Sequence, residues 1–267
     1  YYSLHRGIML GLGSGLCSGS SLDDLFGTVS GFSLSLDGED DRVTLSEEIT
    51  LAVDGDGSDH TISFWSKRVS SETRDTVLGA HSDVGSVQSN FKTKLELTTT
   101  PKLAIESEEN GEEATAAITD NTGWHHYAVT WNGQDGAGNT AQPIMYEDGA
   151  AVTTVAGNFG KTANQDFIFD TIGAVNNTTS GEHEFRGLLY QLAIWNTTLD
   201  DTTIRAVYNS GNPIPVEQDS GDYNNSSNLI HLYKFNEGSG TITKDSVNDN
   251  IEGTLKEEAE FSTTIPG

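Results

Sequence analysis

The chain of 267 residues has few basic residues, few prolines and a single cysteine. Its 14 Lys and Arg residues stand against 40 Asp and Glu residues, so the formal net charge is −26 at pH 7. Because such a field repels phosphate backbones and anionic lipid surfaces, the composition argues against nucleic acid and membrane surfaces as partners. The lone Cys17 cannot form an internal disulfide, and packing must therefore stabilise the fold.

Long hydrophobic runs are also missing. No apolar stretch approaches the ~20 residues that a membrane-spanning helix needs, which predicts no membrane insertion. The apolar run at residues 8–16 follows Arg6 as in a signal peptide, but glycines interrupt it and Leu16 stands where a lipoprotein would need a small residue. We instead predict that residues 1–30 form an assembly arm that binds other subunits. Its predicted contact residues are Tyr2, Leu4, Ile8, Leu10, Leu12 and Leu16.

Residues 123–133, which read G-W-H-H-Y-A-V-T-W-N-G, are a run of strand-forming residues between turn formers. Aromatic and β-branched side chains fit a pleated sheet better than a helix. Alternation along a strand divides these side chains between two faces. One face carries Tyr127, Val129 and Trp131, and the other carries Trp124, His126, Ala128 and Thr130. Since neither face is fully polar, we predict a strand inside a sheet whose two sides are covered or partly covered.

Turn and cap signals predict two further local structures. The pair Asp148-Gly149 between strand-forming residues is a strong signal for a two-residue hairpin. Asp200 is predicted to cap a short helix, and Gly211 is predicted to end it. The remaining pattern is one of short strands joined by Gly-rich and polar loops, as in an all-β domain.

The motif at residues 123–133 resembles the central strand of laminin-G-type, concanavalin-A-like jelly-roll domains. Four other segments resemble the same family in the family's order, at residues 33–45, 60–69, 146–152 and 185–211. The resemblance implies an all-β, two-sheet antiparallel jelly-roll sandwich with one short helix. It is far more specific to the fold than to any function.

Within residues 229–267, the segments 229–235, 236–240 and 245–255 resemble the strand pair that usually opens this family's domain, although here they follow the helix. One explanation is a second domain reduced to its first strands, and the other is a permutation that returns these strands to the same sandwich. Roughly 40 residues are too few for an independent core without disulfides or metal, which favours the permutation. We therefore predict one domain over residues 31–267, with residues 31–212 as its main motif region and residues 213–228 as a linker loop.

The resemblance also places a rim loop near the first strands and implies a calcium site there, with Asp37, Asp40 and Asp41 as ligands. One departure weakens this implication, because many relatives have an acidic residue where this chain has Tyr190. The alternative interpretation is a solvated acidic turn. A second acidic string at residues 54–59 lacks the Gly and Glu positions of an EF-hand loop and is interpreted as a solvated turn.

Glycoside hydrolases share this sandwich, so the resemblance also raises the hypothesis of glycan hydrolysis. Such enzymes need two carboxylates about 5 to 9 Å apart across a cleft, and no E-x-D-x-E strand is present. The nearest arrangement is Glu182 and Glu184 in a polar loop. His125 and His126 point to opposite faces of one strand and cannot bind one ion together. We predict no catalytic residues and no cofactor apart from the implied calcium.

These observations predict a non-enzymatic interaction module of an extracellular assembly. An arm combined with the trailing N-E-G-S-G…D-S strand pair is similar to proteins of marine phage virions, which implies a capsid decoration or tail-associated protein that contacts host-surface glycans. A secreted or cell-surface carbohydrate-binding adhesin is the alternative, and a glycan hydrolase is a further one. For all four tryptophans, core packing is favoured over a sugar-binding role, because each lies on a predicted strand: Trp65, Trp124, Trp131 and Trp195.

Overall fold

The computed structural model describes residues 31–52, 59–69, 75–82, 91–98, 102–107, 112–119, 122–132, 143–156, 159, 166–175, 184–248 and 250–267. The predicted assembly arm and its six contact residues lie outside the described residues. Most of the acidic string at residues 54–59 lies outside them as well. What was predicted for these segments stays a prediction.

The described residues form mostly β-strands, as expected from their alternating pattern. In chain order the strands are β1 (Ser33–Asp37), β2 (Arg42–Ala52), β3 (His60–Arg68), β4 (Asp75–Ser82), β5 (Phe91–Leu97), β6 (Lys102–Ser107), β7 (Glu112–Ala117), β8 (Trp124–Trp131), β9 (Ile144–Glu147), β10 (Ala150–Val152), β11 (Thr154–Ala156), β12 (Asp166–Ile172), β13 (Arg186–Trp195), β14 (Leu229–Tyr233), β15 (Ile242–Lys244), β16 (Glu252–Lys256) and β17 (Glu260–Ser262). The helix α1 spans Asp201–Tyr208, and 3₁₀ turns lie at Asn209–Gly211 and Ser226–Asn228.

The strands make two antiparallel sheets that pack face to face. Sheet A has the order β10-β9-β8-β3-β13-β1-β17, and β14 also pairs with β13. Sheet B has the order β11-β7-β6-β5-β4-β12-β2-β16-β15. The predicted two-sheet sandwich with one short helix is confirmed.

Strand β8 lies between β3 and β9 inside sheet A. Its Tyr127, Val129 and Trp131 pack into the main core between the sheets. Its Ala128 belongs to a second apolar cluster on the outer face of sheet A. Both faces of this strand are therefore covered from His126 to Trp131 and only partly covered at Trp124 and His125, as its mixed side chains predicted.

Helix α1 packs on the outer face of sheet A through this second cluster, where Ile204 and Val207 are buried. The predicted cap is confirmed, because the side chain of Asp200 accepts a hydrogen bond from the Thr203 amide at 2.8 Å. The predicted stop at Gly211 is wrong by two residues. The last residue of the α-helix is Tyr208, and its C-cap Asn209 adopts the left-handed conformation that Asn tolerates better than most residues; a 3₁₀ turn then continues to Gly211.

The C-terminal strands return to the same sandwich, as predicted. Strand β14 pairs with β13 in sheet A, and β17 pairs with β1. Strand β16 pairs with β2 in sheet B. These strands share the main core, to which Tyr233 and Leu255 contribute buried side chains.

The stretch predicted as a linker, residues 213–228, is a loop that packs closely on sheet A. The hydroxyl of Tyr223 accepts a hydrogen bond from Trp195 Nε1 at 3.0 Å and donates one to the carbonyl of Val216 at 2.6 Å. Gln191, at a bulge in β13, donates through Nε2 to the carbonyl of Ile214 at 2.6 Å. The loop therefore closes the space beside α1.

Candidate functional site

Helix α1 covers only part of the outer face of sheet A. Tyr208, its last residue, stacks on Trp65 with ring centroids 5.7 Å apart and lies 6.2 Å from the ring of His126. Beyond Tyr208, one side chain from each of four adjacent strands is only partly buried on this face. We call these residues the open row: Trp124, Lys67, Leu188 and Ser35.

The register of sheet A places the members of the open row side by side. Lys67 pairs with Trp124 on one side and with Leu188 on the other. Leu188 in turn pairs with Ser35. Since neighbouring strands lie about 4.8 Å apart, the row extends about 15 Å across the sheet.

Trp124 is the large aromatic residue of the open row. Its ring meets that of Tyr190 edge to face, with centroids 6.3 Å apart and an interplanar angle of 73°. Tyr190 is itself buried, at 1% exposure. The partly exposed indole is thus supported by a side chain that packing holds in place.

The acidic turn, which we define as residues 37–41, begins at the end of β1 beside the open row. Its Asp37 pairs in register with Arg186, two residues before Leu188 on β13. One carboxylate oxygen from each of Asp37, Asp40 and Asp41 lies within 4.8 Å of the others. The structure therefore brings together the three residues of the predicted calcium site.

Asp41 has a structural role that its sequence position did not reveal. Its Oδ2 accepts a hydrogen bond from the Asp37 amide at 2.9 Å, and its Oδ1 accepts one from the Glu258 amide at 2.8 Å. Burial raises the pKa of Asp41, and the hydrogen bond from the Asp37 amide opposes that rise. Asp41 therefore ties the acidic turn to the short connection between β16 in sheet B and β17 in sheet A.

The donor set of the acidic turn suits a hard cation, because it consists of carboxylate oxygens, which calcium prefers. Asp37 and Asp40 are exposed, and Asp37 uses Oδ1 to accept a hydrogen bond from the Glu39 amide at 2.8 Å. Tyr190, the residue whose identity weakened the calcium prediction, lies elsewhere: it pairs with Trp65 and contacts Trp124. The residues present therefore fit calcium, with Asp37 and Asp40 as the accessible ligands.

The two histidines of β8 have different partners, as their opposite faces predicted. His126 is buried, and its Nε2 lies 2.9 Å from Ser63 Oγ. Burial lowers the pKa of His126 to about 4. His125 Nδ1 lies 2.7 Å from Asp148 Oδ2, and this hydrogen bond raises the pKa of His125. Both contacts are structural.

The predicted core role holds for three of the four tryptophans. Trp65, Trp131 and Trp195 are at most 1% exposed. Trp124 differs, because it is only partly buried, and sequence parity alone could not show where α1 and Tyr208 stop covering its face.

Of the two carboxylates considered for hydrolysis, Glu182 lies outside the described residues. Glu184 is partly buried and lies two residues before β13. Their pairing across a cleft therefore stays a hypothesis. In the described part of the chain, no helix has the length and apolar character needed to cross a membrane.

Comparisons with known proteins agree with this architecture. The sequence model of Laminin_G_3, described as the concanavalin A-like lectin/glucanases superfamily, matches residues 37–205, more than half of the chain. No curated protein sequence matches the chain.

Two solved structures share the fold. A Bacteroides ovatus protein described as a candidate carbohydrate-binding protein has a TM-score of 0.53 and 16% identity, over 85% of this chain and 61% of that one. The present chain thus spans under two thirds of that protein. A heptameric SAP-like pentraxin from Limulus polyphemus has a TM-score of 0.52 and 14% identity, over 85% of this chain and 95% of that one. At these identities the likeness shows the fold alone.

Proposed function

Because the chain belongs to the concanavalin A-like lectin/glucanases superfamily, we propose that it is a non-enzymatic glycan-binding module that works outside the cell. The observation that carries this proposal is the open row, in which the partly exposed Trp124 lies among polar side chains on the uncovered part of sheet A. Aromatic side chains with a supported ring offer a large apolar surface to a sugar ring at low entropic cost. Lys67 supplies a hydrogen-bond donor beside it, and Ser35 supplies another at the far end of the row.

The rigidity of the open row supports a binding role. Each of its four side chains belongs to a strand that pairs on both sides within sheet A. Trp124 is further supported by the buried Tyr190. A surface that is already ordered loses little conformational freedom when a ligand binds, and weak sugar contacts can then add up to useful affinity.

Glycan binding is tested by applying the purified chain and its Trp124→Ala variant to a glycan array, followed by titration calorimetry on the best glycan. We expect the variant to bind at least about tenfold more weakly, since it loses the stacking surface. Val155→Ala is the matched control, because Val155 is 65% exposed on β11 of sheet B, away from the open row. Thermal unfolding of both variants shows whether each keeps the fold. Unchanged affinity in a folded Trp124→Ala variant would refute the proposal.

Calcium at the acidic turn is a second part of the proposal, supported by the convergence of Asp37, Asp40 and Asp41. Calcium that binds only the folded chain must raise its unfolding temperature. We expect a rise with calcium chloride, a reversal with EDTA, and no rise in Asp40→Asn. Asp40 is the residue to change, because Asp41 also has a structural role. Magnesium chloride at the same concentration is the ionic control, and an equal rise with it would count against a calcium site.

Two narrower settings for such a module are a virion, as a capsid decoration or tail-associated protein, and a cell surface, as an adhesin. The virion setting depends on residues 1–30 as an assembly arm. Gel filtration of the chain with and without these residues tests that dependence, and unchanged assembly after the deletion would remove it.

The hydrolase alternative makes a separate prediction. Hydrolysis of a bound glycan would require the carboxylates of Glu182 and Glu184, so the Glu182→Gln, Glu184→Gln double variant would lose it. The non-enzymatic proposal predicts that the unaltered chain leaves its best glycan intact over prolonged incubation.

A further inference from the structure

Two cationic side chains lie together on the outer face of sheet A. Lys67 is a member of the open row and pairs with Leu188. Arg186 lies two residues before Leu188 on β13 and is exposed on the same face. Lys67 and Arg186 are therefore diagonal neighbours on adjacent strands, a relationship in which the Cα atoms lie roughly 7 Å apart.

Among the described residues, neither cation forms an ion pair. In the described part of the chain, no carboxylate lies within ion-pair distance of Lys67 or Arg186. Other basic side chains in the described part of the chain do form ion pairs: Arg68 pairs with Asp75, and Lys234 pairs with Glu217. In a chain with 40 acidic and only 14 basic residues, two adjacent cations that form no ion pair within the described part of the chain are a local reversal of the overall charge.

Lys67 differs from an ordinary surface lysine because it is partly buried between Trp124 and Leu188. A ligand that covers the open row would remove further water from its ammonium group. Desolvation of a charge is unfavourable unless the ligand supplies an opposite charge or strong acceptors. A neutral glycan would leave that cost largely uncompensated, whereas a carboxylate or sulfate group would offset it.

Resting on the proposed function, we propose that the open row binds acidic glycans, those that carry carboxylate or sulfate groups. Trp124 stacks on a sugar ring, and Lys67 donates to the acidic group of the same or the next residue. Arg186 offers a planar fork that matches carboxylate and sulfate geometry.

The neighbouring acidic turn affects where the acidic group of a bound glycan can lie on the open row. Asp37 pairs in register with Arg186, and its carboxylate repels an anion placed near that end of the row. Lys67 is one strand further from the acidic turn. We therefore infer that Lys67 makes the larger contribution and Arg186 the smaller one.

The net charge of −26 does not prevent such binding. Repulsion between exposed charges is screened beyond about 8 Å at physiological ionic strength, while contacts on a partly buried surface are screened much less. The overall field acts mainly on the rate at which an anionic glycan reaches the protein, and the local contacts act on how long it stays.

The test uses the full chain on an array that carries neutral, uronic acid, sialylated and sulfated glycans. The strongest signals are expected on acidic members. For the best of these, Lys67→Gln should weaken binding about tenfold and Arg186→Gln about threefold, with Lys102→Gln unchanged. Lys102 is the matched control, because it is exposed on β6 of sheet B. Arg186→Lys keeps the charge and should restore part of the loss.

A second comparison uses the same glycan without its acidic group, which is removed by reduction of the carboxylate or by desulfation. The altered glycan should bind the unaltered chain and Lys67→Gln equally well. Neutral glycans that bind best and depend on Trp124 would overturn this inference and leave the proposed function standing. A Lys67→Gln effect no larger than that of Lys102→Gln would also overturn it. A folded chain that binds no glycan on the array would overturn both.

Discussion

Asp148 Oδ2 lies 2.7 Å from His125 Nδ1, and Asp148 Oδ1 accepts a hydrogen bond from the His126 amide at 3.0 Å. Asp148 also forms the hairpin turn between β9 and β10 with Gly149, both at positive φ. One residue thus turns the chain and fastens that turn to the neighbouring strand β8, which carries Trp124 of the open row.

Replacement of Asp148 by Ala should lower the free energy of unfolding by about 1 to 3 kcal/mol. The change removes both side-chain hydrogen bonds and leaves His125 without its partner. Asp148→Asn is the matched control, because Asn suits the same turn conformation and can still accept from the His126 amide. Urea unfolding measures both variants, and equal stability of Asp148→Ala and the unaltered chain would contradict the expected role.

The His125–Asp148 pair should contribute most between about pH 4 and 6.5. Although burial alone raises the pKa of Asp148, the hydrogen bonds from His125 and the His126 amide lower it overall. Its contribution is therefore present above the ordinary Asp value of 3.8 and is lost as the pH falls through the lowered pKa. The pKa of His125 is raised by its hydrogen bond to Asp148, so its contribution is present below 6.5 and is lost as the pH rises through the raised pKa. In Asp148→Asn, NMR titration should show the pKa of His125 falling towards its ordinary value.

Two buried histidines should make the protein less stable in mild acid. Burial lowers the pKa of both His60 and His126 to about 4, while the unfolded chain has the ordinary value of 6.5. Between these values the unfolded state binds more protons, so each histidine should reduce the free energy of unfolding by about 1.4 kcal/mol per pH unit as the pH falls.

Urea unfolding from pH 7 to 5 measures this slope. Because carboxylates also titrate in this range, the informative quantity is the difference between the unaltered chain and His60→Gln or His126→Gln. Each variant should have a shallower slope. A histidine signal from His126 that titrates near pH 6.5 would disprove the assignment.

Asp245 should hold the C-terminal strand β14 of sheet A to the segment that follows β15 of sheet B. Its buried carboxylate accepts hydrogen bonds from His231 Nδ1 at 2.6 Å and from the amides of Leu232 and Val247, both at 2.9 Å. Replacement by Ala should cost about 3 kcal/mol, because several buried donors lose their acceptor. Limited proteolysis and urea unfolding should show one cooperative transition at a lower urea concentration. A tail that is cut while the rest of the sandwich stays protected would instead indicate a separate unit.

The same Tyr→Phe change at Tyr223 and at Tyr233 tests how much the hydrogen bonds of the 213–228 loop contribute to stability. Tyr223 makes these hydrogen bonds, and Tyr233 serves as the control. Tyr223→Phe should lower the free energy of unfolding by about 1 to 3 kcal/mol, because Trp195 Nε1 and the Val216 carbonyl both lose their partner. Tyr233→Phe should be neutral or stabilising, since the buried hydroxyl of Tyr233 has no hydrogen-bond partner among the described residues. Thermal unfolding of the two variants checks this contrast, which equal losses would contradict.

Local sequence signals were sufficient to predict those parts of the structure that depend on residues close together in the chain. The alternation along residues 123–133 predicted the two faces of β8, and Asp148-Gly149 predicted the hairpin. The cap at Asp200 followed from residue type alone. The helix end did not, because Asn209 and Gly211 are both able to adopt a left-handed conformation; both adopt a positive φ, and the α-helix ends at the first of them.

The candidate site shows the limit of such reasoning. The resemblance pointed to Asp37, Asp40 and Asp41, and the structure does bring them together. It could not show that Asp41 also accepts a hydrogen bond from the Glu258 amide, 217 residues away in the sequence.

By itself the sequence determined the all-β class and the covered or partly covered faces of the central strand, because strand periodicity and turn chemistry act over a few residues. The return of the tail followed from the family resemblance and from the small size of the tail, which is too short for an independent core. Only the tertiary structure decided which surface stays open. The docking of α1 leaves Trp124 and Lys67 uncovered, and the pairing of β13 with β3 and β1 brings Arg186 and Asp37 beside them. These residues come from distant parts of the chain, so their proximity depends on strand register and helix packing.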